Sequence, residues 1–133
     1  MNMEPKQIVL AYHEAFYRNG RTTVRALLAN KGQFLGPISS YTDRDPFLDG
    51  AAVFRQLTKR TDIKAVVADG NDVCVVYDST LAIDNVPVIP IASWFRVDAR
   101  KITIVHTHSN PAPFIKAKES GDLARALEAI KKR

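Results

Sequence analysis

His106 and His108 stand one residue apart in an extended run, so both imidazoles share a face, and Asp78 on another run can join them. Nitrogen and carboxylate donors in that pattern suit a transition metal. Spacing supplies no further ligand, so the pair reads better as structural or interface histidines hydrogen-bonded to Asp78, and no metal or other cofactor is expected. Asp43-Arg44-Asp45 puts two carboxylates around one cation. Asp43 and Asp45 are therefore candidate acids or bases, although such clusters are commonly solvated turns with a local ion pair. Tyr77 and Tyr12 are phenols that can donate to a carbonyl or enolate oxygen, or simply pack as amphipathic wall residues. Tyr77 joins the two aspartates as a catalytic candidate. Ser79, Ser93, Thr107 and Ser109 can orient a ligand through their hydroxyls. With no histidine expected on their face, and His13 expected in solvent, none reads as an activated nucleophile.

The chain that positions these groups has 133 residues, 46% apolar and 25% charged, which is the composition of a globular domain with one core. A single domain over 1–133 is expected, with its core in about 5–110. The net charge of +5 is spread along the chain, and its one tight cluster, Lys131-Lys132-Arg133, suits a helix end. No grouping of basic residues with aromatics marks a nucleic-acid reader, so no nucleic-acid partner is expected. No apolar leader opens the chain, and no stretch reaches the roughly 18 apolar residues of a membrane span. A cytoplasmic protein with no membrane partner is expected. Cys74, the only cysteine, lies in Val73-Cys74-Val75-Val76 and reads as a small buried hydrophobe.

From Glu4 to Arg18 the residues Ile8, Tyr12, Ala15 and Phe16 recur at helical spacing, with Pro5 in the first turn and Gly20 as the stop. Thr22 or Thr23 can cap a short second helix carrying Val24, Leu27 and Leu28. Gln33-Phe34-Leu35 reads as a short strand ended by Gly36-Pro37, and residues 38–47 as a long polar loop that includes Tyr41. Asp49-Gly50 precedes a third helix with Val53, Phe54 and Leu57 inward. The period then changes to two. Lys64 to Ala68, Asp72 to Ile83, Val86 to Val97 and Lys101 to His108 are β-branched or aromatic runs divided by short turns, hence an antiparallel meander. Pro87 and Pro90 put the start of the third run at an edge or bulge, which implies a bent strand. Asn110 to Pro113 reads as a link to a last helix over about 120–132 with the stripe Leu123, Leu127 and Ile130. The class is α+β: N-terminal helices packed on a strongly bent antiparallel sheet forming a cone with an internal pocket, plus a C-terminal helix.

Short motifs in this order resemble the SnoaL-like group of the nuclear-transport-factor-2-like, or cystatin-like roll, superfamily. They are Phe16 to Gly20, Phe34-Leu35-Gly36-Pro37, Gly50-Ala51-Ala52-Val53-Phe54, Asp69-Gly70-Asn71-Asp72-Val73, Trp94-Phe95-Arg96-Val97 and Lys101-Ile102, covering about residues 5–110. The resemblance implies the cone fold, on which chemistry varies widely. Where ketosteroid isomerase has its base and its hydrogen-bonding Asp, the similar positions here hold Gly36 and Ser93. Where limonene epoxide hydrolase has an Arg and two Asp, the similar positions hold Tyr77, Ser79 and Thr107. Both reactions need a carboxylate, so both are disfavoured.

Alternation puts Val73, Val75, Tyr77, Ser79, Ser93, Phe95, Val97, Val105, Thr107 and Ser109 on one face. The resemblance implies that this face lines the pocket, with Tyr12, Tyr41, Val75, Tyr77, Ser79, Ser93, Phe95, Val105, Thr107 and Ser109 as ligand-pocket residues. The other face is too apolar to leave in water. Its Val76, Asp78, Trp94, Arg96, Ile102, Ile104 and His106 are expected to be buried in a homodimer, as in many proteins that resemble this chain. The expected function is binding of a small molecule, as a lyase, isomerase or hydrolase acting on a mostly apolar metabolite. The alternative is a non-catalytic dimerisation or ligand-sensing module.

Overall fold

The computed structural model describes residues 3–18 and 20–132. Among these the elements run α1 (Pro5–Tyr17), α2 (Arg21–Leu27), β1 (Leu28–Leu35), β2 (Ser40–Asp43), α3 (Arg44–Leu57), β3 (Thr58–Asp69), β4 (Asp72–Leu81), β5 (Ile89–Asp98), β6 (Lys101–His108), α4 (Ala112–Ser120) and α5 (Asp122–Lys131). The strands form one sheet in the order β2-β1-β6-β5-β4-β3. Every pairing is antiparallel except β1 with β6, so the sheet is mixed rather than a pure meander.

Helix α1 begins as its residues dictate. Pro5 occupies the first turn, and Glu4 and Gln7 close a reciprocal capping box. Its inward stripe, Ile8, Val9, Tyr12 and His13, lies on the sheet. Helix α2 starts at Arg21 without a side-chain cap, so Thr22 and Thr23 are exposed helical residues rather than caps.

The largest departure is at residues 38–47, where no long loop exists. β2 pairs with β1 as a hairpin, Gly36 N–H donating to the Ser39 carbonyl at 2.9 Å, and α3 starts directly after Asp43. Pro46 sits in the first turn, where no intrahelical N–H is required. Gly50 lies inside the helix because the Tyr41 ring covers it: an added Cβ would come within 2.1 Å of the Tyr41 hydroxyl. β3 likewise starts at Thr58, six residues before the apolar run at Lys64. Pro111 and Pro113 open the extra helix α4 rather than a linker, and Gly121, at φ 87°, divides it from α5.

The inner face carries the core. Along β4 and β5 every second residue is buried, from Val73 to Leu81 and from Ile89 to Val97. Pro90 pairs with Asp78 but lies beyond the last β5–β6 pair, Ala92 with His108, so its missing N–H costs nothing on that side. One bulge alters the expected faces. Arg96 pairs with Ile104 while Val97 pairs with Ile102, leaving Thr103 as the extra residue, held by Thr103 Oγ1 donating to Asp98 Oδ2 at 2.7 Å. Ile102 is therefore turned inward and fully buried, and is not an outer-face residue.

The β5–β6 turn runs through Ala99 and Arg100, both left-handed at φ 48° and 66°, as a two-residue turn of the type that prefers Asn-Gly. The double substitution Ala99→Asn with Arg100→Gly is expected to raise unfolding free energy by about 1 kcal/mol. Urea denaturation followed by tryptophan fluorescence checks this, and an unchanged or lower midpoint contradicts the turn assignment.

Candidate functional site

The buried polar groups of the inner face are gathered by α1 lying across β3, β4 and β5. His13 is buried, not solvent-facing. It is four residues beyond Val9 and three before Phe16, so the helical stripe itself places it inward. Its ring meets Tyr77 edge-on at 4.7 Å and Tyr17 at 4.9 Å, and its Nε2 lies 3.1 Å from Thr61 Oγ1. Neither His13 nor Tyr17 was among the expected site residues.

Four hydroxyls form two pairs. The Tyr17 and Tyr77 oxygens lie 2.9 Å apart, and Ser93 Oγ lies 3.0 Å from Thr107 Oγ1. Tyr12 packs beside them against Phe16 and Phe95, and Val75, Phe95 and Val105 supply buried apolar wall. Ser79 is fully buried, and its hydroxyl has no partner among the described residues. Burial pushes all three tyrosines up from the ordinary phenol value, with the hydrogen bond from Tyr17 offsetting part of this at Tyr77. The cluster is thus uncharged near neutrality.

Aromatic side chains occupy the hollow, and open space lies at the ends of β1 and β6. Where β1 leaves β6, Leu35, Gly36 and Pro37 on one side and His106 to Ser109 on the other bound a cleft of about 270 Å³. Thr107, paired with Ser93, and Ser109 line it. A recess of about 20 Å³ beside Phe16, Arg21 and Arg55 has room for one water.

The remaining candidates lie elsewhere. Asp43 ion-pairs with Lys31, and Asp45 with Arg25 at 2.9 Å and Arg44 at 3.6 Å. Arg44 also donates to the Arg25 and Leu28 carbonyls at 3.3 and 3.4 Å. This triad fastens α3 to the end of α2, and the loop expected to hold it above a pocket does not exist. The Arg25 hydrogen bond holds the Asp45 carboxyl below its usual value. Tyr41 covers Gly50 on α3 and tilts against Phe47.

On the outer face His106 lies edge-on to Trp94 at 5.0 Å and 3.3 Å from Gln33 Oε1, while Asp78 pairs with Lys64 at 3.7 Å. The proposed pairing of these histidines with Asp78 is not formed. Among the described residues no three His, Cys, Asp or Glu gather as metal ligands. Trp94 and Arg96 are tied to Asp72 instead, the indole N–H donating at 3.0 Å. Cys74 is half-buried on this face rather than within the core.

Burial holds the His13 imidazole below its ordinary value. The unfolded chain takes up a proton near pH 6.5 that the folded chain refuses until lower pH, so this contribution to stability is complete above that pH and is lost on acidification toward the folded value. The melting temperature is expected to fall between pH 7 and pH 5, and His13→Gln to flatten that slope. Equal slopes in the two proteins would show that His13 is not the titrating group.

No protein-family profile matches the chain, and no curated protein does. Solved structures do. A protein from Kribbella flavida superposes with a TM-score of 0.79 at 22% identity, over 86% of this chain and 93% of that one. A nuclear-transport-factor-2-like protein from Cytophaga hutchinsonii gives 0.73 at 19%, over 86% and 97%. A candidate polyketide cyclase from Pseudomonas putida gives 0.67 at 17%, over 87% and 98%. The curved sheet packed on helices is thus the cystatin-like fold that these solved structures share.

Proposed function

We propose that this protein binds a small, mostly apolar molecule at the cleft beside Thr107, whose hydroxyl also meets the buried Ser93. The observation that carries this reading is a cleft of about 270 Å³ in which Leu35, Gly36 and Pro37 face the imidazoles of His106 and His108 and the hydroxyls of Thr107 and Ser109, apolar wall with a few polar groups as in a small-molecule site. Neighbours in fold described as candidate polyketide cyclase and candidate ketosteroid isomerase support it as a site for a lyase or isomerase. A carboxylate base is missing from the reading. Apart from Asp122, held by Ser120, Asn85 and Arg125, the buried polar residues among those described are His13, Ser79 and Ser93. That observation favours the second reading, a ligand-sensing module without chemistry. On either reading the protein works in the cytoplasm, where the free Cys74 thiol stays reduced.

We also propose a homodimer through the outer face, with Val76, Trp94, Arg96, Ile104 and His106 at its centre. Trp94 and Val76 are 37% and 36% exposed, more than an apolar pair in mid-sheet needs unless something covers it. A stable interface of about 800 Å² per partner is within the area of such a face.

Two measurements test these readings. Titration of the ¹⁵N-labelled protein with small aryl ketones is expected to shift the amides of Gly36, Thr107 and Ser109 saturably, and Thr107→Val to weaken binding about 3- to 10-fold. Shifts scattered over the surface, or none, reject the cleft. Sedimentation at micromolar concentration is expected to give a dimer that Trp94→Glu dissociates; a wild-type monomer rejects the interface.

A further inference from the structure

Strand β1 stops pairing with β6 before β6 ends, and the backbone left over has a definite pattern. The last β1–β6 pair is Leu35 with His106, whereas β6 goes on pairing with β5 as far as His108. In a strand the N–H and C=O of one residue point to the same side, and those of the next residue to the other. Gly36 N–H donates to the Ser39 carbonyl in the β1–β2 hairpin, so Gly36 faces β2 and Leu35 faces β6. In a parallel pair each residue bonds to the two residues that flank its partner, which for Leu35 are Val105 and Thr107. The next groups on that edge of β6 are the Thr107 carbonyl and the Ser109 N–H. A continued β1 would meet them with residue 37, but Pro37 has no N–H to give, and the chain has turned into the hairpin. Ser109 lies beyond β6, and its N–H meets no acceptor among the described residues. Thr107 and Ser109 both line the cleft of about 270 Å³.

A carbonyl and, two residues on, an N–H are the groups that one further residue of parallel strand fills, with its own N–H on the carbonyl and its own C=O on the N–H. A lone amide cannot do this, because its trans N–H and C=O point in opposite directions. An α-amino acid with an acylated nitrogen can, because in the extended form its N–H and C=O lie on one side. We propose that the cleft binds an N-acylated, apolar α-amino acid as an added residue of parallel strand, its N–H donating to the Thr107 carbonyl and its C=O accepting from the Ser109 N–H. This names the ligand class of the cleft and rests on the cleft being the ligand site. The unit takes the place that residue 37 leaves, in line with Leu35 and opposite His108. Alternation puts its side chain on the face of Leu35, His106 and His108, where the two imidazoles stand 6.3 Å apart at 71°. That seat of two rings and a leucine suits an aromatic side chain. Chirality is read as well, because the enantiomer held by the same two hydrogen bonds directs its side chain away from that face.

The probe is N-acetyl-L-phenylalanine methyl ester, compared with its D enantiomer and with methyl O-acetyl-L-phenyllactate, in which oxygen replaces the N–H. Dissociation constants are read by amide-shift titration. Wild-type protein is expected to bind the L-amide about 3- to 10-fold more tightly than either comparison compound, with the Ser109 N–H moving downfield. Ser109→Pro removes that N–H and is expected to weaken L-amide binding about 3- to 10-fold while keeping the preference for N–H over oxygen, which the Thr107 carbonyl reads. The three compounds on wild-type protein carry the test if Ser109→Pro does not fold. Equal wild-type affinity for the L-amide and either comparison compound overturns the added strand, as does a Ser109→Pro protein that binds the L-amide as tightly as wild type. Saturable shifts of Gly36, Thr107 and Ser109 by aryl ketones in the same wild-type protein then leave the cleft standing. Absence of saturable shifts with every compound rejects the cleft and this ligand together.

Discussion

Helix α1 has to fill the concave side of a bent sheet, and most other features of the molecule follow from how it does so. A hollow of that curvature is too deep for aliphatic side chains on one helix, and the chain meets it with rings: Tyr12, His13, Phe16 and Tyr17 from α1 against Tyr77 and Phe95 from the strands. Rings of this kind bring polar tips into the interior, and a buried tip without a partner is costly. Tyr17 therefore meets Tyr77, His13 meets Thr61, and Ser93 meets Thr107. The polar character of the candidate site is thus a by-product of packing that the fold then places next to open space.

The curvature has local causes in the strands. Pairing slips at 63–65 between β3 and β4, at 96–97 between β5 and β6, and on both flanks of β1. Such irregularities increase local twist and bend the bulged strand. At the Thr103 bulge β1 runs so close to β6 that an added Cβ on Gly32 would lie 2.3 Å from the Thr103 carbonyl oxygen. Only glycine admits that approach, which falls in the irregular stretch between the pairs Leu28 with Ile102 and Gln33 with Ile104. The cleft opens where β1 leaves β6, beyond the pairs Phe34 with Val105 and Leu35 with His106.

The second half of the chain was legible because its signal is local. Val73, Val75, Tyr77, Ser93, Phe95 and Val105 fall on every second position of their strands, and all are buried on one face. The β6 bounds, the turns at Gly70 and Ala99-Arg100, and the outward direction of Trp94 and His106 follow from the same period of two. The first half was legible only in part. Residues 38–47 have the composition of a loop, yet Arg44 to Phe47 enter a helix because the Arg25 side chain binds Asp45 and the Arg25 and Leu28 carbonyls bind Arg44. Composition carries no trace of a partner twenty residues away. His13 is a different case: its spacing from Val9 and Phe16 marked the inner stripe, and only its residue type argued for solvent.

The sequence by itself determined the α+β class, the order α1, α2, β1, α3 followed by four strands, and the division of β4 and β5 into an inner and an outer face, because period and turn chemistry act over a few residues. Tertiary structure alone decided that β1 returns parallel to β6, that Thr103 bulges and turns Ile102 inward, and that Tyr17 reaches Tyr77 across sixty residues of chain. Those choices depend on which distant surfaces fit together once the hollow is filled, and no local pattern of residue types encodes a fit between surfaces that are separated along the chain.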